Sequence, residues 1–258
     1  MQMMKKTQIM LAGSLIGIGT AAAALAVAAA ALVVYGKKLM KEMDQPMVPE
    51  PNPKKIRIAC IGDSITFGAG VLFSGREKKV WTALLNGMIG EKYQILNYGI
   101  SGATLQREGD KSYRDFPHLE KAKEAAPSVY LLMLGTNDSK PYNWDAKRYE
   151  AQLTEWIEEL MEGKGDHQVI LMTPPYTCPA RGQKKVAFDI SNEVIRDEIR
   201  PILLRAAQEN NLPVIDLYTF TEGHGEWLAD GVHPNKIGNQ KLAEKICEDL
   251  TGTEVIDS

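Results

Sequence analysis

Four short blocks in this chain carry the residue types that acyl transfer requires. Gly62-Asp63-Ser64-Ile65 offers a hydroxyl, and Asp230-Gly231-Val232-His233-Pro234 offers an imidazole with a carboxylate three residues before it. A serine hydroxyl becomes a nucleophile when an imidazole takes its proton, and a carboxylate can hold that imidazole in the right tautomer. Asn97-Tyr98-Gly99-Ile100-Ser101-Gly102 and Gly135-Thr136-Asn137-Asp138 offer hydrogen-bond donors. Gly102, without a Cβ, allows close approach of its backbone N–H, and Asn137 adds a side-chain amide. With the N–H of Ser64 these make three donors for the oxyanion of a tetrahedral intermediate.

Each residue also has a blander role. Ser64 could cap the helix that follows. Asp230 could cap its own turn while a backbone carbonyl orients the imidazole. Asn137 could close an Asx turn with Asp138. Neither Gly-Asp-Ser nor Asp-x-x-His identifies chemistry alone. The four blocks in one order, each after an apolar run or before the last helix, do. Of the four histidines, His233 alone sits in such a block. His224, between Gly223 and Gly225, is the rival base, and His118 and His167 read as surface residues. Asp63 reads as an acceptor for nearby backbone rather than a reacting group.

The elements that must position these residues alternate along the chain. Short apolar runs at 56–61, 93–97, 129–134, 169–172 and 214–217 read as buried parallel strands. Helical patterns lie near 77–90, 115–126, 145–162, 188–210 and 235–250, with Pro201 kinking or splitting the fourth. The alternation predicts an α/β fold, a three-layer doubly wound parallel sheet of about five strands. Ligands of such sheets bind at the carboxyl ends of the strands. Ser64, Gly102 and Asn137 follow the first three strands directly, so the fold gathers them at one edge. The His233 block, after the fifth strand, belongs to the same edge.

The blocks resemble those of the SGNH (GDSL-type) esterases and acylhydrolases over roughly residues 55–250. That family's signature Ser, Gly, Asn and His match Ser64, Gly102, Asn137 and His233. Its name-giving Leu is Ile65 here, an apolar packing position with no chemical role. The resemblance implies a flavodoxin-like α/β/α domain and a serine ester hydrolase working through an acyl-enzyme on Ser64. It admits carbohydrate O-deacetylases, lysophospholipases and thioesterases. Arg107, Tyr142, Trp144, Tyr176, Arg181 and Trp227 are candidate pocket-rim residues. Their mixture of aromatic and polar groups favours removal of a small acyl group, such as acetyl, from a carbohydrate or cell-envelope glycan. A lysophospholipase or thioesterase acting on lipid esters is the alternative. A catalytically silent, membrane-tethered glycan-binding protein is the alternative of another class, against which an intact Ser-His-Asp set argues.

Composition excludes other classes. The 258-residue chain has a net charge of −3 and scattered Lys and Arg, so it presents no basic surface for nucleic acid. No glycine-rich nucleotide fingerprint and no ligand-spaced metal cluster is present, so no cofactor or metal is expected. Cys60, Cys178 and Cys247 are widely spaced and read as free thiols.

Residues 9–35 hold no charged side chain, a run of 27 flanked by Lys5, Lys6, Lys37 and Lys38. A bilayer core needs about 20 apolar residues in a helix, so residues 1–36 read as a single-span signal anchor. A cleaved signal and a secreted enzyme are the alternative. Lys37, Lys38 and Lys41 favour a cytoplasmic C-terminal side, whereas the short N-terminal tail favours an exported catalytic domain, which is the expectation adopted. Residues 37–55, with four prolines between 46 and 53, read as a semi-extended spacer before a catalytic domain at 56–258.

Overall fold

The computed structural model describes residues 48–162 and 167–252. The chain divides between Gln45 and Pro46 into two units, and the second carries the four blocks. The apolar run expected to span a membrane lies outside the described residues. No helix among those described is long and apolar enough to cross a bilayer.

Five strands form one parallel sheet in the order β2-β1-β3-β4-β5. They are β1 (Ile56–Gly62), β2 (Tyr93–Gly99), β3 (Val129–Met133), β4 (Gln168–Met172) and β5 (Val214–Ile215). Both faces of the sheet are covered, which is why the strands read as continuous apolar runs. Along β1, Ile58 and Cys60 join one buried cluster and Ala59 and Ile61 the other, as the two-residue period of a strand requires.

On one face lie α2 (Trp81–Met88) and α7 (Lys236–Gly252), burying Trp81, Leu85, Leu242 and Ile246. On the other lie α3 (His118–Glu124), α4 (Ala146–Met161) and α5 (Arg200–Glu209). α4 shows how such a helix is specified. The Asp145 carboxylate accepts the Arg148 N–H at 3.0 Å, and Tyr149, Leu153, Trp156, Ile157 and Leu160 form its buried stripe at three- and four-residue spacing. The result is the three-layer α/β/α architecture expected.

Strand order 2-1-3-4-5 places the topological reversal beside β1. Gly62 pairs with Gly99 on one side and with Met133 on the other, so β1, β2 and β3 end side by side.

Local departures from the expected elements have physical causes. The helix expected at 77–90 is a short turn, Arg76–Lys79, followed by α2. Val80 is extended between them, and the Trp81 N–H goes to the Asn239 side chain of α7 at 2.9 Å instead of continuing one helix. The 188–210 pattern becomes regular only from Asn192. It widens to a π turn at Ile195–Ile199, immediately before the α5 turn that holds Pro201. Proline has no N–H for the i−4 carbonyl, and the wider turn absorbs that loss. β5 ends at Ile215, because Asp216 turns away to cap α6 (Leu217–Thr221) and bind Arg200.

One further expectation is corrected. His118 is buried, with its ring edge-on to Tyr113 and Phe116, rather than on the surface. Of the expected spacer at 37–55, residues 48–55 are described, and they are bonded to the domain. The Asn52 N–H donates to Gln94 Oε1 at 2.7 Å, and Gln94 returns a bond to the Glu50 carbonyl at 3.0 Å. Two backbone polar groups satisfied by one side chain tie the segment to the sheet edge.

Candidate active site

The nucleophile candidate sits in a turn that glycine alone permits. β1 ends at Gly62, and α1 (Ser64–Phe67) begins at once. Asp63 caps it, its Oδ1 accepting the Ile65 N–H at 2.8 Å. Thus Asp63 has the backbone role expected, and burial pushes its carboxyl up. α1 lies directly on the end of β2: a Cβ at Gly99 would collide with the Phe67 backbone nitrogen. Asn97 completes the tie, donating to the Thr66 carbonyl at 2.7 Å and accepting the Gly99 N–H at 2.9 Å. The second block therefore does more than supply Gly102; it clamps the helix that presents Ser64.

Asp230 and His233 share one turn. Asp230 Oδ1 accepts the N–H groups of Val232 at 3.0 Å and His233 at 2.8 Å. Its Oδ2 lies 2.7 Å from His233 Nδ1. A carboxylate can only accept, so the proton of a neutral imidazole is fixed on Nδ1 and Nε2 is left as an acceptor. Nε2 lies 2.9 Å from Ser64 Oγ. Burial acts to raise the Asp230 pKa, but hydrogen bonds from the His233 ring and the two amides outweigh it and hold the group down at about 2.

The turn is locked from outside. Gly231 has φ +88°, and a Cβ there would run into the Cys178 carbonyl. Its own carbonyl accepts the Cys178 N–H at 2.9 Å. After Pro234, Asn235 Oδ1 accepts the N–H groups of Ile237 and Gly238, which starts α7 where the block ends.

Gly102, with φ +82°, and Asn137 stand at the ends of the neighbouring strands. Asn137 Nδ2 donates to the Ala103 carbonyl at 3.1 Å. One N–H of that amide is thus used to join the two turns, and the other is left to bond elsewhere. Asp138 reinforces the joint: its carboxylate accepts the N–H groups of Leu105 and Gln106, each at 2.9 Å. Burial pushes the Asp138 pKa up to about 6 against these bonds. In the sequence Asp138 enters only through the alternative of an Asx turn at Asn137; in the structure it clasps the loop after Gly102.

Of the six rim candidates, Tyr176 and Trp227 line one small cavity together with Pro234, and the other four stand apart from it. Arg107 pairs with Glu155 of α4. Trp144 donates Nε1 to Glu198 at 3.0 Å and leans on Tyr149. Tyr176 packs edge-on to Tyr218, and Trp227 stacks on His224 with ring centroids 3.8 Å apart. Tyr142 is exposed above Lys140, and Arg181 is exposed in the loop after β4. The stacking, with the Glu226 partner of His224 at 2.8 Å, accounts for the rival histidine without any part in the Ser64 relay. The aromatic side chain that meets His233 is Phe188, which sequence reading did not single out, with ring centroids 5.3 Å apart.

Cys60, Cys178 and Cys247 are all free. Cys60 is buried in β1, which pushes its thiol up and leaves it inert. Among the described residues, no group of three or more His, Cys, Asp or Glu is placed to hold a metal ion.

An α/β/α sheet with a carboxylate–imidazole–hydroxyl chain at its carboxyl edge defines the serine ester hydrolase class. The family model of the GDSL-like lipase/acylhydrolases matches residues 60–241, and the chain belongs to that family. It is 33% identical to an acetylxylan esterase of Xylanibacter ruminicola over 77% of this chain and 44% of that one. It is 27% identical to an isoamyl acetate-hydrolyzing esterase 1 homolog of Mus musculus over 74% of this chain and 80% of that one. The chain thus spans less than half of the first relative and most of the second. Among solved structures, a lipase/acylhydrolase from Enterococcus faecalis superposes with a TM-score of 0.58 at 27% identity, covering 76% of this chain and 95% of that one.

Proposed function

We propose that the chain is a carboxylic ester hydrolase that removes acetyl groups from a carbohydrate, a cell-envelope glycan if the domain is exported on the apolar segment at 9–35. The Asp230–His233–Ser64 chain, at 2.7 and 2.9 Å, carries the reading. His233 Nε2 takes the Ser64 proton as Oγ bonds the acyl carbon. The negative charge that develops on the carbonyl oxygen is met by the N–H groups of Ser64 and Gly102 and the amide of Asn137. As the intermediate collapses, the bond to the alcohol oxygen breaks and that oxygen takes the proton from Nε2. Water, deprotonated by the same nitrogen, then attacks the acyl-enzyme and releases acetate and free Ser64. Both named relatives act on acetate esters by their names, one of a polysaccharide, which supports acetyl as the acyl group and a sugar as the acceptor.

The test is a panel of acetyl, butyryl and octanoyl esters on sugar and glycerol-lipid acceptors. The acetylated sugar is expected to have the highest kcat/KM, and a maximum at an octanoyl glycerol-lipid ester overturns the carbohydrate reading.

Asn137→Ala is expected to lower kcat by about 100- to 1,000-fold with a smaller change in KM, the usual cost of one oxyanion donor. Steady-state kinetics on an acetyl ester decide it. An effect confined to KM means that Asn137 holds the ground state rather than the transition state.

A further inference from the structure

Phe188 is a bulky side chain in a backbone conformation that bulky residues avoid. Its φ is +61° and ψ +25°, and Asp189 after it has φ +56°. Two successive non-glycine residues in the left-handed region are strained, so the surrounding structure must hold them there. Both flanks are anchored. Val186 and Ala187 pack on the core before it, and Ile190 is buried after it. The Ser191 N–H donates to Ser139 Oγ at 3.1 Å, and that hydroxyl donates to the Thr136 carbonyl at 2.7 Å, so the loop is fastened to the turn that carries Asn137. The product of this strain is a phenyl ring that remains 57% exposed yet stands 5.3 Å from the His233 ring, at 62° to it. An exposed aromatic is not held in a strained backbone for burial. It is held for what it faces.

We infer that Phe188 forms the wall of the alcohol subsite, packing against the ring of the sugar from which the acyl group is removed; this deepens, and rests on, the carbohydrate reading of the same site. The mechanism fixes which part of the ester lies there. The departing alcohol oxygen must take its proton from His233 Nε2, so the carbon skeleton of the alcohol sits beside that imidazole, on which Phe188 leans. The acyl carbonyl points instead toward Gly102 and Asn137, at the ends of β2 and β3. A pyranose ring has apolar C–H groups on its faces, and a half-exposed phenyl offers the flat apolar surface they fit. Phe188 is thus a specificity residue of the site.

The test compares acetate esters that differ only in the alcohol: acetylated xylobiose, cyclohexyl acetate and ethyl acetate. Phe188→Ala is expected to lower the kcat/KM ratio of each ring alcohol to ethyl acetate by about tenfold, mainly through KM, with the pH profile of kcat in its place. Phe188→Trp is expected to restore the ratio. Phe188→Gly loses the ring as alanine does but relieves the positive φ, and should melt about 2–4 °C above Phe188→Ala. A ratio unmoved in Phe188→Ala overturns the assignment. So does a loss that tracks acyl length on a fixed alcohol, or equal melting of the glycine and alanine variants. A wild-type protein that cleaves cyclohexyl acetate but leaves acetylated xylobiose intact overturns the carbohydrate reading alone, and the cyclohexyl-to-ethyl ratio still judges Phe188.

Discussion

Alanine in place of Ser64 is expected to cut kcat on an acetyl ester by about 10,000-fold or more and to abolish labelling by a fluorophosphonate. In the proposed mechanism Oγ is the atom that bonds the acyl carbon, and no other hydroxyl lies on His233 Nε2 among the described hydrogen bonds. The fold should not register the change. The turn at Ser64 is held by Asp63 on Ile65, by Asn97 on Thr66 and by the close approach of Gly99. None of these uses the Ser64 side chain, and Asp230 still holds His233 at 2.7 Å. Thermal melting of the variant within about 2 °C of wild type, together with the lost activity, separates a missing nucleophile from a damaged domain. Retained activity would sink the acyl-enzyme mechanism whatever the melting temperature.

The parts of this molecule that were legible in the sequence are those where one physical rule acts alone. β1 to β4 were readable because a parallel sheet covered on both faces demands unbroken apolar runs. Ser64, Gly102 and Asn137 were readable because each follows such a run and the fold must bring those ends together. The Asp230–His233 spacing was readable because three residues fit a single turn. Where two rules compete, the sequence was silent. The helical pattern through Val80 breaks because Asn239, far along the chain, captures the Trp81 N–H. β5 has two residues because Asp216 serves α6 and Arg200 instead of the ladder. His118 looked like surface because its buried environment comes from Tyr113 and Phe116 folding over it. Phe188 gave no signal because its position depends on two left-handed residues that neither phenylalanine nor its neighbours announce. The rim candidates were chosen by residue type alone, and residue type does not say where a loop side chain turns; Trp144, just before α4, packs on Tyr149 and donates to Glu198.

Asp230→Asn is expected to lower kcat by about 10,000-fold while changing KM little, because it attacks the tautomer rather than the binding of the ester. The substitution keeps size and shape. Its carbonyl oxygen can still accept the Val232 and His233 N–H groups that Asp230 Oδ1 accepts at 3.0 and 2.8 Å. That arrangement turns the amide NH2 toward His233 Nδ1. An NH2 only donates, so Nδ1 must accept, and the imidazole proton moves to Nε2. Protonated there, the ring cannot take the Ser64 proton across the 2.9 Å gap. The pH profile gives a second readout. Burial raises the Asp230 pKa, yet the His233 ring and the two amides bring it to about 2, so the carboxylate is charged at every pH an esterase assay covers. A depressed carboxylate stabilises the native state above its unfolded value, and that contribution disappears only as the pH falls toward 2. No limb of the wild-type profile in that range therefore belongs to Asp230. Asparagine removes that charge at every pH in this range, so the loss of kcat should persist across the whole profile rather than at one end of it. A variant with full kcat would mean that the turn orients His233 through its backbone alone, and that the carboxylate 2.7 Å away takes no part in the chemistry.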